Sequence, residues 1–168
     1  LNQSFNLNRY CSMPLNEAIK ARIEDGYSSS SKIRKDAVKY TTHILTGSHE
    51  KMKALEKNPE KFRDWVVENK KFLEQEYGKE NIVRFVLHRD EKTPPLHAVT
   101  VNLTKDGRLS AKEIIGNRKA MQNRQDRYAQ AMQSFGLERG IKNTGIKHED
   151  AKTYYARIKQ ANDFSKKN

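Results

Sequence analysis

The sequence predicts an α+β fold: one small antiparallel sheet with helices packed on it. Three observations carry that expectation. Short runs rich in β-branched and aromatic residues alternate with longer segments of helical period. Two of the strand-like runs, 82–88 and 97–103, are separated by only eight residues, too short for a parallel crossover, so they pair antiparallel. The remaining periodic segments present one apolar stripe each, which a sheet face can cover.

The elements follow in order. Residues 1–11 mix polar and apolar side chains without a period and are left unassigned. Residues 14–26 read as a short helix ended by Gly26, and the four serines 28–31 as a loop. Residues 37–46, with Val38, Tyr40, Thr41, Thr42 and Ile44, read as a strand closed by Gly47. Ser48 caps a short helix. Asn58-Pro59 starts a second, with proline at the first helical position, where a missing N–H costs nothing. In that helix Phe62, Trp65, Val66, Leu73 and Tyr77 share one face, and Gly78 ends it. After the two paired strands, Asp106-Gly107 makes a turn. Ser110 and Glu113 then form a capping box, with Leu109 and Ile114 placed for a hydrophobic staple. One helix is expected from there through Met121, Tyr128 and Met132 to Gly136, and a last one over 148–164. The domain is read as 1–165, with 166–168 a frayed tail.

The chain has 168 residues, which suits one domain, and a net charge of +12 from 33 basic and 21 acidic side chains. That excess attracts a phosphate backbone and releases its counterions, so nucleic acid is the favoured partner. No apolar run approaches the ~20 residues that span a bilayer, and no signal peptide is visible. The single Cys11 excludes an internal disulfide and a cysteine-built zinc site, and suits the reducing cytoplasm. Neither a membrane nor a small-molecule substrate is expected.

Chemistry concentrates in the segment from His88 to His97, Arg89-Asp90-Glu91-Lys92-Thr93-Pro94-Pro95-Leu96 lying between them. His88 closes one strand and His97 opens the next. In a hairpin the two imidazoles would sit directly opposite each other, with Cβ atoms ~5 Å apart, close enough to grip one metal ion. Asp90 and Glu91 in the connecting loop would orient an imidazole or reach the ion through water. His43 either packs into the core or lines the same sheet face; His49 and His148 have no partner near in sequence.

His88-x-Asp90-Glu91-x-Thr93-Pro94-x-x-His97 resembles the motif His-x-Asp-Glu-x-Thr-Pro-His-x-His of the Mob/Pre plasmid mobilisation relaxases, the MobV class of HUH endonucleases. Residues 32–38, 107–113, 125–127 and 136–140 resemble further family segments in the same order, over roughly 1–155. The resemblance implies an HUH relaxase-like fold. It also implies metal-assisted nicking and religation of single-stranded or hairpin DNA at a transfer origin, through a covalent protein–DNA intermediate. His88 and His97 would hold Mn2+ or Mg2+, and Glu91 would act as a catalytic carboxylate. Arg34, Lys35, Lys112 and Arg118 are the candidate phosphate contacts, and Tyr128, Tyr154 and Tyr155 candidates for stacking on bases, Tyr128 lying also on the apolar stripe.

Two departures stand out. The family's middle histidine falls on Pro95, which has no lone pair to offer, so the ion is expected to bind weakly, to recruit another ligand such as Glu91, Asp90 or His43, or to be absent. Leu1-Asn2 is similar to the tail of a family stretch that follows the nucleophile, so the nucleophile, and with it an N-terminal element, is expected ahead of Leu1, with Tyr10 and Tyr27 as substitutes. The fragment alone is then expected to be inactive in nicking. The alternatives are a rolling-circle replication initiator and a DNA-binding module without catalysis.

Overall fold

A computed structural model describes residues 2–141 together with Asp150, Thr153 and Ala156. Of the expected last helix only Asp150, Thr153 and Ala156 are described, the last two helical; the rest of it, the tail and Tyr154 and Tyr155 lie outside the described residues. Among the described residues four strands form one antiparallel sheet: β1 (Gln3–Ser4), β2 (Tyr40–Leu45), β3 (Ile82–Leu87) and β4 (Leu96–Val101), in the order β1-β3-β4-β2. Among the same residues the helices α1 (Leu15–Gly26), α2 (His49–Glu56), α3 (Pro59–Tyr77), α4 (Ala111–Ile115) and α5 (Arg118–Met132) accompany it.

The sheet separates two apolar clusters. On one face Phe85, Leu87, Leu96, Ala98 and Leu45 pack against Met52 and Leu55 of α2, Trp65 and Leu73 of α3, and Met132 of α5. On the other face Val83, Val99 and Val101 pack against Ala18, Ile19 and Ile23 of α1. Helix α1 covers only the part of its face near Val83 and Val101; Ile44, toward the other end of that face, remains 69% exposed.

The local signals explain most boundaries. Ser48, Asn58 and Ser110 each accept a backbone N–H from the third residue beyond, as N-caps do. The apolar stripe of α3 is buried as its period requires, with Asn69 added: its amide donates to the Trp65 carbonyl and its oxygen accepts from the Tyr128 hydroxyl.

Three expectations are corrected. The helix read from Ser110 to Gly136 is two helices, because Gly116 takes φ 80°, a conformation a helix cannot contain, and Asn117 then caps α5 afresh. The capping box is half made: the Ser110 hydroxyl accepts from Glu113 N, but the Glu113 carboxylate turns to Arg108 at 2.7 Å. The Ser110 N–H donates instead to the Asn102 carbonyl. Leu109 and Ile114 join different apolar clusters, so no staple forms between them. Near the N-terminus, the segment left unassigned supplies the two-residue edge strand β1, with Gln3 opposite Leu87.

Candidate metal centre

A β-bulge near the start of β3 sets the phase of everything that follows. Ile82 pairs with Thr100 but Arg84 pairs with Val99, so Val83 is the extra residue. After it, Phe85 and Leu87 face the helix-covered side, and Val86 and His88 face the α1 side. His97, between Leu96 and Ala98 of the opposite cluster, faces the α1 side as well.

The two imidazoles do meet, though not as direct partners. His97 pairs across with Val86, and the His88 N–H donates to the Pro95 carbonyl at 3.0 Å, so the ladder puts Pro95, not His97, opposite His88. The histidines are diagonal neighbours on one face, with ring centroids 4.2 Å apart and planes 33° from parallel. Expecting them face to face ignored that the last paired residues continue the ladder into the loop.

Glu91 folds back from the loop between them. Its Oε1 lies 3.7 Å from His88 Nδ1 and 3.9 Å from His97 Nε2. One ligand atom from each of His88, Glu91 and His97 falls within 4.8 Å of the others. Asp90 reaches only His88, at 4.0 Å. Two imidazoles and a carboxylate are a donor set suited to a divalent ion, and the side chains remain partly exposed, at 29% for His88, 37% for His97 and 52% for Glu91.

The loop that carries Glu91 is tied down from both sides. Arg89 N donates to the Asn2 side chain at 3.2 Å, and the Arg89 guanidinium stands over the Phe62 ring. His49 Nδ1 is 2.8 Å from the Thr93 hydroxyl. Sequence reasoning missed Asn2, Phe62 and His49 as supports. The signal for His49 was present: β2 ends at Leu45 opposite Leu96, so the residues after it emerge at the same end of the sheet as the loop.

His43 lies on the other face. It stacks on Tyr77 at 4.6 Å and shares a 2.8 Å hydrogen bond with Thr100. Burial, with a smaller contribution from the Arg124 charge, pushes its pKa down to about 4. It is a neutral packing residue and does not line the site. Tyr128 is also a core residue: it meets Phe72 edge-on at 5.1 Å, its hydroxyl donates to Asn69, and burial raises its pKa.

Tyr10 is buried in the α1-side cluster with its hydroxyl donating to Asp25 at 2.6 Å, and the Tyr27 hydroxyl donates to the Ser31 carbonyl just beyond α1. Both are committed away from the histidines.

The four candidate phosphate contacts are exposed but not gathered at the histidines. Arg34 and Lys35 precede Tyr40, which pairs with Val101 at the far end of the sheet from Leu45 and Leu96; Arg34 is engaged by Asp36 at 2.5–2.9 Å. Lys112 follows Ser110, which is bonded to Asn102 at that same far end. Arg118 opens α5 and lines, with Arg124, Arg139, Thr41 and His43, a depression of about 460 Å³ beside β2.

The family model described as plasmid recombination enzyme, Mob_Pre, matches residues 2–156. The chain belongs to the Mob_Pre family, the MobV class of relaxases. Mob_Pre relatives include a plasmid recombination enzyme type 3 of Staphylococcus aureus, 41% identical over 143 residues, covering 83% of this chain and 34% of the relative. A type 2 enzyme from the same organism is 31% identical over 169 residues, covering 99% of this chain and 39% of the relative. The chain therefore spans about a third of the length of the curated relatives it matches. Among solved structures, the fold matches the Mob_Pre relaxase domain of MobM bound to plasmid pMV158 oriT DNA in a Mn-bound crystal structure, with a TM-score of 0.80 at 28% identity, over 94% of this chain and 79% of that one. A second MobM complex, with a 26-nucleotide oriT DNA, matches with a TM-score of 0.77 at 28% identity, over 91% of this chain and 86% of that one. The expected α+β relaxase fold is thus the observed one. Among the described residues no helix is long and apolar enough to cross a membrane.

Proposed function

We propose that this chain is the DNA-handling part of a relaxase that nicks and rejoins single-stranded or hairpin DNA at a plasmid transfer origin. The observation that carries the reading is the His88–Glu91–His97 cluster on the open sheet face of a Mob_Pre fold. His88 and His97 hold Mn2+ or Mg2+, and Glu91 supplies a carboxylate beside them. When bound, the ion polarises the attacked phosphate and offsets the negative charge that gathers on its non-bridging oxygens. The two imidazoles fix where that phosphate docks, because the bulge and the ladder leave both rings on the open face. The loop ties at Arg89 and Thr93 keep the carboxylate between the rings. The +12 charge holds the strand through its phosphates. Arg34, Lys35, Lys112 and Arg118 then bind DNA away from the attacked bond, where they position the strand and take no part in the chemistry.

A covalent protein–DNA intermediate conserves the energy of the broken phosphodiester, so rejoining needs no external energy source. Direct opposition of Pro95 to His88 favours a second reading, a DNA-binding module without a working metal centre.

One experiment separates them. Labelled single-stranded and hairpin oligonucleotides are titrated against the protein across a salt series, with and without Mn2+, and Mn2+ binding is followed by calorimetry. The relaxase reading expects log K to fall linearly with log salt, and Mn2+ binding that disappears in His88→Ala with His97→Ala. Salt-dependent DNA binding without any Mn2+ binding selects the module. A flat salt response, or no binding at low salt, removes DNA from the reading altogether.

A further inference from the structure

We propose that the open part of the α1-side sheet face is a track for single-stranded DNA, with bases packed on Tyr40 and Ile44 and phosphates met by Lys35 and Lys39. This rests on the DNA reading above and specifies the form of DNA and the surface that takes it.

Of the six large apolar side chains exposed among the described residues, three lie on β2 and its approach: Val38, Tyr40 and Ile44, at 59%, 45% and 69%. Scattered apolar side chains are ordinary on a protein surface, but a row of them on one strand marks a surface that takes a partner. Pairing puts Tyr40 beside Val101, Thr42 beside Val99 and Ile44 beside His97, so Tyr40, Thr42 and Ile44 all stand on the α1 side. The row begins at the end of the sheet that Arg34 and Lys35 lead into, and it ends next to the His97 imidazole. From Tyr40 to Ile44 it runs about 13 Å. That is the length of about four nucleotides at the ~3.4 Å spacing of a stacked strand.

The chemistry of the row suits unpaired bases. Among the described residues the Tyr40 ring stacks on no other ring, and its hydroxyl makes no hydrogen bond. Beside it Ile19, Ile23, Ile33, Lys20 and Lys39 wall a depression of about 450 Å³. A flat base packs on such a surface, and every base has a π-face to offer, so the contact asks for no particular sequence. Bases inside a duplex are already stacked on one another and have no face to give. The charges agree. Lys35 and Lys39 are exposed and have no ion-pair partner among the described residues, whereas Glu24 holds Lys20 at 3.8 Å and Asp36 holds Arg34. Lys39 and Tyr40 line the same depression, so a cation stands within reach of the phosphate of a base on that ring. A second copy of the chain fits less well, because each copy carries a charge of +12 and would bring lysines against lysines.

The test compares the unaltered chain with Tyr40→Ala, Tyr40→Phe, Ile44→Ser, and Lys35→Ala combined with Lys39→Ala. Fluorescence anisotropy reads the binding of a labelled oligothymidylate and of a labelled duplex of the same length across a salt series, without added metal. Tyr40→Ala should weaken the single strand by roughly tenfold and the duplex by about twofold or less. The slope of log K against log salt stays as it was, because no charge is removed. Tyr40→Phe keeps the ring and should bind like the unaltered chain. Ile44→Ser should act in the same sense as Tyr40→Ala, with a smaller loss. The lysine pair should instead reduce the single-strand slope by about 1.4, at about 0.7 for each cation. Equal losses for single strand and duplex, or a single-strand affinity that neither Tyr40→Ala nor Ile44→Ser changes, overturns the proposal. Ile44→Ser decides the matter if Tyr40→Ala does not fold. A dimer of the unaltered chain in sedimentation that Ile44→Ser dissolves gives the face to a second copy and also overturns it. The failure of the DNA reading as a whole is a different result: the unaltered chain would then bind neither single strand nor duplex at low salt.

Discussion

On the helix-covered face of the sheet His43 lies against Tyr77 and Thr100, its pKa pushed down to about 4. On the opposite face His97, across the adjacent strand β4, stays 37% exposed beside His88 and Glu91. The contrast is sharpest in β2 and β4, where His43 pairs with Ala98 and Ile44 with His97. One residue of register separates an imidazole packed against Tyr77 and Thr100 from one left open beside His88 and Glu91. The covering decides this, because α2, α3 and α5 cover most of one face while α1 stops short on the other. Residue type and strand propensity are the same on both sides.

The largest expected effect breaks the covered face. Phe85 is 1% exposed in the cluster beneath α3, so Phe85→Ala should cost about 3–5 kcal/mol of unfolding free energy in urea, as truncations of buried phenylalanine do. A cost below about 1 kcal/mol would mean that the two faces are not differently packed.

A smaller effect separates the two kinds of histidine by pH. The folded-state pKa of His43, about 4, lies below its ordinary 6.5, so folding favours the neutral ring. Its contribution is complete above about pH 6.5 and is lost as the pH falls from 6.5 toward 4, because the unfolded chain takes up the proton first. His43→Gln should therefore flatten the fall in the urea midpoint between pH 7 and pH 4.5. An unchanged fall would place the acid sensitivity in groups other than His43.

The smallest effect is expected on the open face. Ile44 is 69% exposed next to His97, so Ile44→Ser should shift stability by no more than about 0.5 kcal/mol. A loss of several times that would show that something covers this face in solution.

Much of this was legible in the residues. The caps at Ser48, Asn58 and Ser110 are local, each a side chain accepting from a backbone N–H three residues on, and local chemistry survives into the fold. The stripe of α3 was legible because a 3.6-residue period needs only one face to be buried. The His88–His97 segment was legible as a candidate site, and the wider resemblance pointed to the family that the comparisons show. The break at Gly116 was missed because one glycine in a helical pattern is often tolerated. Here its positive φ, and a Cβ position only 2.6 Å from Ala120 Cβ, mark a true turn. Strand β1 was missed because two residues carry no period.

By itself the sequence determined the class of the domain, its main helices and strands, its excess of positive charge and the residue types of the candidate centre. These depend on composition and on neighbours within a few positions. Only the tertiary structure decided which side chains share a face. Without the bulge at Val83, pairing continued from Ile82 and Thr100 would carry His88 to the helix-covered side, away from His97. The bulge shifts the alternation by one, putting His88 across from Pro95 and diagonal to His97, and the loop then returns Glu91 between them. A strand alternates its side chains with a period of two, so a single unpaired residue reverses every side chain beyond it. Nothing in the near-continuous apolar run of β3 announces where that residue falls, because a run apolar on both faces reads the same in either phase.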